Sequence, residues 1–562
     1  MTTSNRPERA GRSDETTRRR AREQRPETPA PARSVQARAQ RYLVAPAQQD
    51  PRRMMEVLAE DPNIRVIRTI ESSGHGGSPP VAIVEMAADH AARLAAIPGC
   101  YVEAEQPLRY GTAAIPHIDP GVAPLLDSVD VTVRVENTDG EALQGAAVHV
   151  FATQCPAQGI TGADGTVTVT VAANEIDLVD GIYVRPKAGH WSSWLGRPRL
   201  STAKPNTIIC APYDSSTVDS WARRAMGFDR LPPTYRGHGI KIAIIDSGLA
   251  TVDDLAERVQ GGRDHVAQDD ISWREDVVGI GTLASGIIAA TDDTSGMIGL
   301  APEVELHVCK VFPGGRFGDL VEAIDYCIEK NIDIISLGVG SPYPSLLVAQ
   351  RLEEARQAGI ATIAAAGSTA GPVAFPASLP TVLAVAAIGK LGTFPPESYH
   401  ATQILGTPTS DGYFPARFSA YGPEIDVCAP GVGVVSTISP KSLGSLDGTA
   451  IAVPHVTALA ALVLAHHHDF RDGYRTRGAG RVDRLFEIIR SSCRAWPFAD
   501  RLRIGAGMPD AVVALGLVPG PAQAGQQAMN TSFETVWPNG THGITQLRAA
   551  MRSAGLAPVQ AE

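Results

Sequence analysis

The sequence predicts an α/β fold built on a doubly wound parallel sheet, preceded by a small α+β domain and a small β-sandwich. Three patterns carry this prediction. Continuous apolar strands alternate with helical stretches after residue 240, valines alternate with polar residues between 129 and 171, and a β-α-β-β-α-β order precedes residue 105. With 562 residues, the chain exceeds what one hydrophobic core usually organises, so several domains are expected.

The N-terminal part divides into a tail and a compact domain. Residues 1–40 contain ten arginines and five acidic residues, and we expect this tail to be disordered. The domain is predicted to span residues 41–112, with strands and helices in the order that the ferredoxin-like arrangement requires. Its strands are predicted at 42–46, 64–70, 81–86 and 101–103, and its helices at 51–60 and 87–97.

A β-sandwich is predicted over residues 123–200. Valines recur at every second position on three segments, and Asp139-Gly140 and Asp164-Gly165 mark turns between them. Half-buried strands joined by Asp-Gly turns are typical of a small antiparallel sandwich. Trp191 and Trp194 follow these strands, and we expect them to be packed in a core rather than exposed on a binding edge.

The largest domain is predicted over residues 216–518, and a loosely held tail over 519–562. Its first strand ends at Asp246, and functional groups of doubly wound sheets are found at the carboxyl ends of such strands. Further elements alternate in the way that parallel sheets with helices on both faces do. The strands are predicted at 241–245, 306–311, 333–339, 361–366 and 382–387, and the helices at 318–330 and 345–358.

Four short segments of this domain follow one another in a recognisable order. They are Asp-Ser-Gly at 246–248, Gly-Ile-Gly-Thr-Leu-Ala-Ser-Gly-Ile-Ile-Ala-Ala at 279–290, Ala-Ala-Ala-Gly-Ser at 364–368 and Gly-Thr-Ala-Ile-Ala-Val-Pro-His-Val at 448–456. Together they resemble the landmarks of the subtilisin-like serine proteases, the subtilases. The resemblance implies the subtilisin-like fold, and it places the family's site residues in this sequence.

The resemblance implies that two catalytic positions of the family have changed. Asp246 matches the aspartate that orients the histidine, whereas Ile280 stands at the position of the general-base histidine and Ala450 at that of the nucleophilic serine. Ser368 stands at the position of the oxyanion-hole asparagine. Because a methyl group cannot attack a carbonyl and isoleucine cannot accept a proton, the sequence predicts a pseudoprotease, a chain that is not an enzyme.

The predicted function is to bind a peptide or a protein partner, with an active subtilase as one candidate partner. The partner would bind through the family's substrate groove at Gly338, Val339, Gly340 and Ser341, where an extended peptide adds a strand. One alternative is a serine endopeptidase with a rearranged active site, and another is a structural assembly component. Residues 41–112 resemble the family's inhibitory propeptide, and the sandwich resembles transthyretin-like modules. Either Gln106–Tyr110 or a later segment is expected near the groove.

Composition suggests a location and excludes some partners. The formal net charge of −10 gives no support for nucleic-acid binding, and neither a signal peptide nor a membrane span is recognised. The seven scattered cysteines fit reduced thiols in the cytoplasm. No cofactor is expected. Asp292-Asp293 offers a weak calcium loop, and His466–Asp469 is interpreted as a surface cluster rather than a metal site.

Overall fold

The structure is a computed structural model, and most of the chain between residues 39 and 518 is described. The tails 1–38 and 519–562 and the pair Asp292–Asp293 lie outside the described residues, so the predictions made for them are not addressed. The described ranges are 39–46, 51–71, 79–110, 128–152, 157–213, 221–291, 297–439, 442–494, 496 and 500–518.

The N-terminal domain has the predicted ferredoxin-like order, which is confirmed. Its four antiparallel strands pair in the order β2-β3-β1-β4, and Leu58 and Leu94 from the two helices are buried against the inner face of the sheet. The elements are β1 (Gln40–Pro46), α1 (Pro51–Glu60), β2 (Arg65–Ile70), β3 (Val81–Met86), α2 (Ala88–Ala95) and β4 (Cys100–Ala104). A further short strand, β5 (Arg109–Tyr110), leaves this sheet.

The second domain is a sandwich of a four-stranded and a three-stranded sheet. Its strands are β6 (Ser128–Glu136), β7 (Ala147–Phe151), β8 (Ala157–Ile160), β9 (Thr166–Ala172), β10 (Gly181–Arg185), β11 (Ser193–Gly196) and β12 (Asn206–Ile209). The sheet orders are β11-β10-β7-β8 and β12-β6-β9. The turn at Gly165 has φ +75°, and a Cβ there would lie 2.6 Å from the carbonyl oxygen of Val135, so glycine is required.

One pair of the sandwich corrects the prediction of a wholly antiparallel fold. Strands β6 and β12 are parallel. Between β6 and β12 the chain also forms the strands of the four-stranded sheet. Parallel strands need such a long crossover connection, whereas a hairpin joins antiparallel strands. The amide of Asn206 holds this register, because its Nδ2 donates to the carbonyl oxygens of Thr132 and Ser201.

The largest domain is built on the predicted doubly wound sheet. Its strands are β13 (Lys241–Asp246), β14 (Val259–Asp264), β15 (Glu305–Lys310), β16 (Ile334–Leu337), β18 (Ala361–Ala365), β19 (Leu383–Lys390), β20 (Tyr413–Pro415) and β21 (Val427–Pro430). They pair in the order β14-β15-β13-β16-β18-β19-β20, and β21 also pairs with β19. Only β20 is antiparallel to its neighbour among these strands. Shorter strands are β17 (Val339–Gly340), β22 (Val434–Ser439), β23 (Ser442–Leu446), β24 (Cys493–Arg494) and β25 (Met508–Pro509).

Helices cover this sheet, and one of them forms the centre of the domain. The helices are α3 (Trp221–Ala225), α4 (Ile280–Ala289), α5 (Phe317–Glu329), α6 (Leu346–Gln357), α7 (Thr449–His466), α8 (Ala479–Ser491), α9 (Arg501–Ile504) and α10 (Ala511–Ala514). Helix α7 is the one described helix that is long and apolar enough to cross a membrane, with a mean hydropathy of 1.7. Since 89% of it is buried inside the domain, it is a core helix.

The N-terminal domain docks on the outer helices of the large domain. The Glu103 carboxylate accepts a hydrogen bond from the backbone N–H of Leu346 (2.9 Å) and another from the hydroxyl of Ser345, where α6 begins. A carboxylate at a helix N-terminus is stabilised by the free N–H groups and the helix dipole. Arg68 forms an ion pair with Asp319 on α5 at 2.5 Å. These polar contacts fix the domain over the α5–α6 face.

Candidate active site

Strand β13 delivers Asp246 to the carboxyl edge of the parallel sheet. The side chain is 2% exposed, and Oδ1 accepts a hydrogen bond of 2.8 Å from the backbone N–H of Ser247. Burial, together with the negative charge of Asp276, raises the pKa of Asp246 to about 7. This carboxyl group therefore holds its proton far more strongly than an exposed aspartate does.

The structure brings Ala450 next to Asp246, at the amino end of α7. A Cβ placed on Gly338 would lie 1.8 Å from Asp246 Oδ2 and 3.4 Å from the Ala450 methyl group, so both side chains face the same glycine. Ile280 begins α4 and is 3% exposed. The backbone N–H of the residue after it donates to the Ser247 hydroxyl at 3.0 Å, which places the start of α4 beside the end of β13.

Ser368 also lies at this site, where its hydroxyl serves the amino end of α7. Its Oγ accepts a hydrogen bond of 3.1 Å from the backbone N–H of Thr449 and lies 3.2 Å from the Thr449 hydroxyl. The first N–H groups of a helix have no partner within the helix, and a serine hydroxyl satisfies one of them here. Asp246 and Ala450 are therefore neighbours. Ile280 lies at the start of α4 beside the end of β13, and Ser368 lies at the start of α7.

The predicted groove is occupied by the chain's own N-terminal domain. Strand β5 pairs antiparallel with β17, so that Tyr110 faces Val339 and Arg109 faces Gly340. Leu108 donates its N–H to the carbonyl oxygen of Gly315 at 2.9 Å and is buried. Of the two segments left open by the sequence, the earlier one therefore adds the strand.

A hydrogen-bonded serine, histidine and aspartate lie elsewhere in the fold. Ser192 Oγ is 3.2 Å from His400 Nε2, and His400 Nδ1 is 2.6 Å from Asp447 Oδ1. Ser192 precedes β11 of the sandwich, His400 lies in the short 3₁₀ helix Tyr399–Gln403, and Asp447 precedes α7. The group is thus assembled across the contact between the sandwich and the large domain.

Surrounding groups hold this histidine firmly. Asp447 Oδ1 also accepts the Gly433 N–H at 2.7 Å, and the ring of Trp191 packs edge-on against the imidazole with centroids 5.5 Å apart. A second hydroxyl, that of Ser445, lies 3.1 Å from the same His400 Nε2. Because a carboxylate can only accept, Asp447 fixes the proton of neutral His400 on Nδ1, and Nε2 is left as the acceptor for a hydroxyl.

The sequence contains no motif that marks these three residues. Ser192 and His400 are 208 positions apart, and each stands in a segment without a glycine-rich turn. The one available signal was Trp191-Ser192, because the tryptophan was expected to be packed in a core. It is indeed 5% exposed, but it packs against the large domain rather than inside the sandwich.

The histidine cluster after α7 has its polar atoms largely engaged. His466 stacks on Tyr235 with ring centroids 4.3 Å apart, and His467 Nδ1 accepts the N–H of Asp469. Donor atoms of His467, His468 and Asp469 lie within 4.8 Å of one another. Asp469 also receives a hydrogen bond of 2.7 Å from Arg484, which already neutralises its charge. The interpretation of His466–Asp469 as a surface cluster rather than a metal site stays a prediction.

Comparison with known proteins identifies the family. The profile of the subtilase family matches residues 237–475. Subtilisin DY from Bacillus licheniformis is 33% identical over 242 residues, which are 42% of this chain and 79% of that protein. A subtilisin from Bacillus pumilus is 31% identical over 265 residues, 46% of this chain and 85% of that protein. The thermostable alkaline protease of Halalkalibacterium halodurans is 33% identical over 238 residues, 42% of this chain and 59% of that protein. The chain belongs to the subtilase family.

These findings contradict the prediction that the chain is not an enzyme, and that prediction is wrong. That prediction rested on Ile280 and Ala450 at two family positions. The relatives are subtilisins and proteases by name, and the hydrogen-bonded Ser192 and His400 are compatible with an active serine protease. The physical reason is that a catalytic triad is defined by geometry rather than by chain position. The family motif shows whether its own positions hold catalytic residues, and it shows nothing about a triad formed by other residues.

Proposed function

We propose that the chain is a serine endopeptidase of the subtilase family with a rearranged active site. Ser192 is the nucleophile, His400 is the general base, and Asp447 orients the imidazole. The observation that carries the proposal is the continuous hydrogen-bonded chain from Ser192 Oγ through His400 to Asp447 Oδ1. Its distances, 3.2 and 2.6 Å, are those expected between a nucleophile, its base and the group that orients the base.

Each residue has a defined role in this proposal. His400 Nε2 accepts the hydroxyl proton as Ser192 Oγ attacks a carbonyl carbon, and it returns that proton to the leaving amine. Asp447 stabilises the imidazolium that forms between the two transfers. The Ser-His-Asp chain order differs from the family's Asp-His-Ser order, but triads occur in several orders because their roles depend on geometry.

Ser192 is a better candidate for the nucleophile than the second serine on the same imidazole. Ser445 is engaged by the phenol of Tyr213 as well as by His400. A peptide substrate is supported by the family to which the chain belongs. Amide-bond cleavage is the reaction that a serine, histidine and aspartate in this order perform.

The described arrangement is a closed form of this site. Ser192 is 4% and His400 2% exposed, so a substrate carbonyl reaches Ser192 only when the sandwich and the large domain separate locally. The contact is held by three backbone hydrogen bonds, Tyr399 N to Ser192 O and Trp194 N to Glu397 O at 3.3 Å and Gly189 N to Leu443 O at 2.9 Å. The rings of Tyr183 and Trp194 also pack on Tyr399 across it. These contacts have to open before a substrate reaches Ser192.

The test is labelling by a serine-directed fluorophosphonate followed by peptide mapping, with casein hydrolysis as a second readout. Ser192 should carry the label, and Ser192→Ala should lose it and lower turnover by about a million-fold, the scale for a triad serine. Ser398→Ala is the matched control, because Ser398 is a buried serine of the same contact whose hydroxyl does not reach His400. Unchanged labelling in Ser192→Ala, or no labelling of the full chain, would refute the proposal.

A further inference from the structure

An apolar cavity of about 190 Å³ lies in the large domain next to the segment that follows Asp246. On either side of Trp273 in the chain, Ile271 and Val277 are 71% and 79% exposed. The cavity is smaller than the pockets of about 300 Å³ or more that usually hold a small molecule, so it fits a side chain better than a free ligand. Its apolar lining includes Leu249, Val252, Leu255, Val259 and Trp273.

The segment that supplies most of this cavity carries an excess of negative charge. Residues 251–279 contain eight acidic residues and three arginines. Two of the arginines pair within the segment, with Glu257 and Asp270, and the guanidinium of the third, Arg274, lies 4.5 Å from the ring centroid of the neighbouring tryptophan. Lys310 compensates one further acid from outside the segment. Eight acids against four cations leave four formal negative charges uncompensated.

Some of these carboxylates are open to solvent and to a further cation. The side chains of Glu257 and Asp270 are 81% and 75% exposed, and Glu275 is exposed as well. An exposed ion pair contributes little stability, so the arginines already present do not exclude another partner. We call the cavity and these three carboxylates the acidic face. A side chain with an apolar stem and a cationic end matches it, and arginine is such a side chain.

The N-terminal tail supplies arginines that the proposed function does not use. Residues 1–40 contain ten arginines against five acidic residues, which gives the tail the charge opposite to that of the acidic face. Four of the ten form a cluster, at positions 18, 19, 20 and 22. Charge complementarity therefore makes this segment of the chain the occupant that fits the face.

The tail joins the folded chain near the acidic face. The backbone N–H of Glu105 donates to the carbonyl oxygen of Arg41 at 3.0 Å, and that of Leu108 donates to Gly315 at 2.9 Å. A Cβ placed on Gly315 would lie 3.4 Å from Val266, four residues before the first exposed aspartate of the face. About twenty residues separate the arginine cluster from β1, and an extended chain spans about 3.3 Å per residue. The cluster can therefore reach the face.

We propose that the arginine cluster of the N-terminal tail binds the acidic face, with one arginine stem in the apolar cavity and guanidinium groups on the exposed carboxylates. Covalent attachment places the tail at an effective concentration of about the millimolar range, so pairs that are weak one by one suffice. Because the carboxylates are exposed, salt screens the binding. The bound tail covers the cavity and competes with any basic peptide for it.

The test is zero-length cross-linking of the full chain by a carbodiimide, which joins an amine to a carboxylate. The chain has no lysine before Lys187, so Arg19→Lys and Arg22→Lys place amines in the tail and keep its charge. We expect links from these positions to the carboxylates of the acidic face. Glu329 and Glu487 are the matched controls, because their side chains are 62% and 65% exposed and each also pairs with a cation. They should remain unlinked to the tail.

Charge removal on the face provides the second arm of this experiment. Glu257→Gln combined with Glu275→Gln should lower cross-linking to Asp270 by about fivefold or more, the scale of an exposed ion pair. Glu329→Gln combined with Glu487→Gln should leave it unchanged. Salt at about 1 M, where the Debye length is about 3 Å, should abolish the links.

Hydrogen exchange tests the same binding without cross-linking chemistry. Replacing all four arginines of the cluster by glutamine should speed the exchange of amides in residues 269–277 and leave that of α8 unchanged. Three results would overturn the proposal. They are links to Glu329 and Glu487 as frequent as those to the acidic face, links that join isotope-labelled to unlabelled chains in a mixture, and unchanged exchange in residues 269–277.

Discussion

Replacing Asp246 by asparagine should stabilise the protein, and the gain should grow with pH. The pKa of this carboxyl group is raised from its ordinary value of 3.8 to about 7 by burial and by Asp276. An acid whose pKa is raised on folding contributes stability that is present below the unfolded pKa and is lost as the pH rises through the folded pKa. Asparagine resembles the protonated acid and never ionises, so Asp246→Asn avoids this loss.

The magnitude follows from the two pKa values. With about 1.4 kcal/mol for each tenfold change in a protonation equilibrium, the raised pKa of Asp246 lowers the free energy of unfolding by about 2 kcal/mol near pH 5 and by about 4 kcal/mol near pH 8. Near pH 5 the carboxyl group ionises only on unfolding. A large domain shifts its Tm by about 2 °C for each kcal/mol. The variant should therefore melt about 4 °C higher than the natural chain near pH 5 and about 8 °C higher near pH 8.

The assay is thermal unfolding by differential scanning calorimetry at the two pH values. Asp269→Asn is the control of opposite sign, because hydrogen bonds from the N–H groups of Ser272 and Ile271 lower the pKa of Asp269. That variant should lose stability as the pH rises from the acid range. An equal shift of Tm at both pH values in Asp246→Asn would show that Asp246 is ionised in the folded protein and would refute the reasoning.

Three further predictions concern the groove, the docked domain and the triad. Arg68→Ala should weaken docking by about 2 kcal/mol, because it removes a charged hydrogen-bond partner of the Asp319 carboxylate, and limited proteolysis of residues 39–110 would measure this. Gly340→Arg should push β17 away from Phe375 and so break its pairing with β5, because even a Cβ at Gly340 would lie 2.7 Å from the carbonyl oxygen of Phe375. Hydrogen exchange at Tyr110 would report the loss of pairing, and unchanged protection would contradict it. Ala450→Ser should leave casein hydrolysis unchanged, because the new hydroxyl would have no general base; faster turnover would mean that the family's position is the working one.

The parallel sheet could be predicted because its strands are buried on both faces. β13, β18 and β19 appear in the sequence as continuous apolar runs, and their observed ends differ from the predicted ones by at most a few residues. Asp246 could be placed for the same reason, since it ends such a run. The parallel pairing of β6 with β12 could not be predicted, because alternation of valines specifies which face is buried and not the direction of the partner.

The sequence predicted only those site residues that lie in contiguous segments resembling the family. The positions of Asp246, Ile280, Ser368 and Ala450 follow from contiguous segments, and the structure brings them together. The contact between Ser192 and His400 depends instead on how two domains pack, and no local pattern encodes it. The occupant of the groove was left open for a similar reason, because the β-sandwich separates Gln106–Tyr110 from the large domain in the chain and only tertiary structure shows which segment reaches the groove.

Glu322 contacts residues of two domains, and this couples the docking of the N-terminal domain to the protonation of a buried histidine. Its Oε1 lies 3.1 Å from Arg68 Nε of the docked domain, and its Oε2 lies 3.8 Å from His265 Nδ1. Both cations help to lower the pKa of the Glu322 carboxyl group against the effect of burial. If docking of the N-terminal domain changes the proton affinity of His265 by some factor, protonation of His265 changes the docking equilibrium by the same factor. The difference between the pKa of His265 in the docked chain and its pKa in a chain whose N-terminal domain is displaced, measured by NMR, therefore gives the change in docking free energy that protonation of His265 causes.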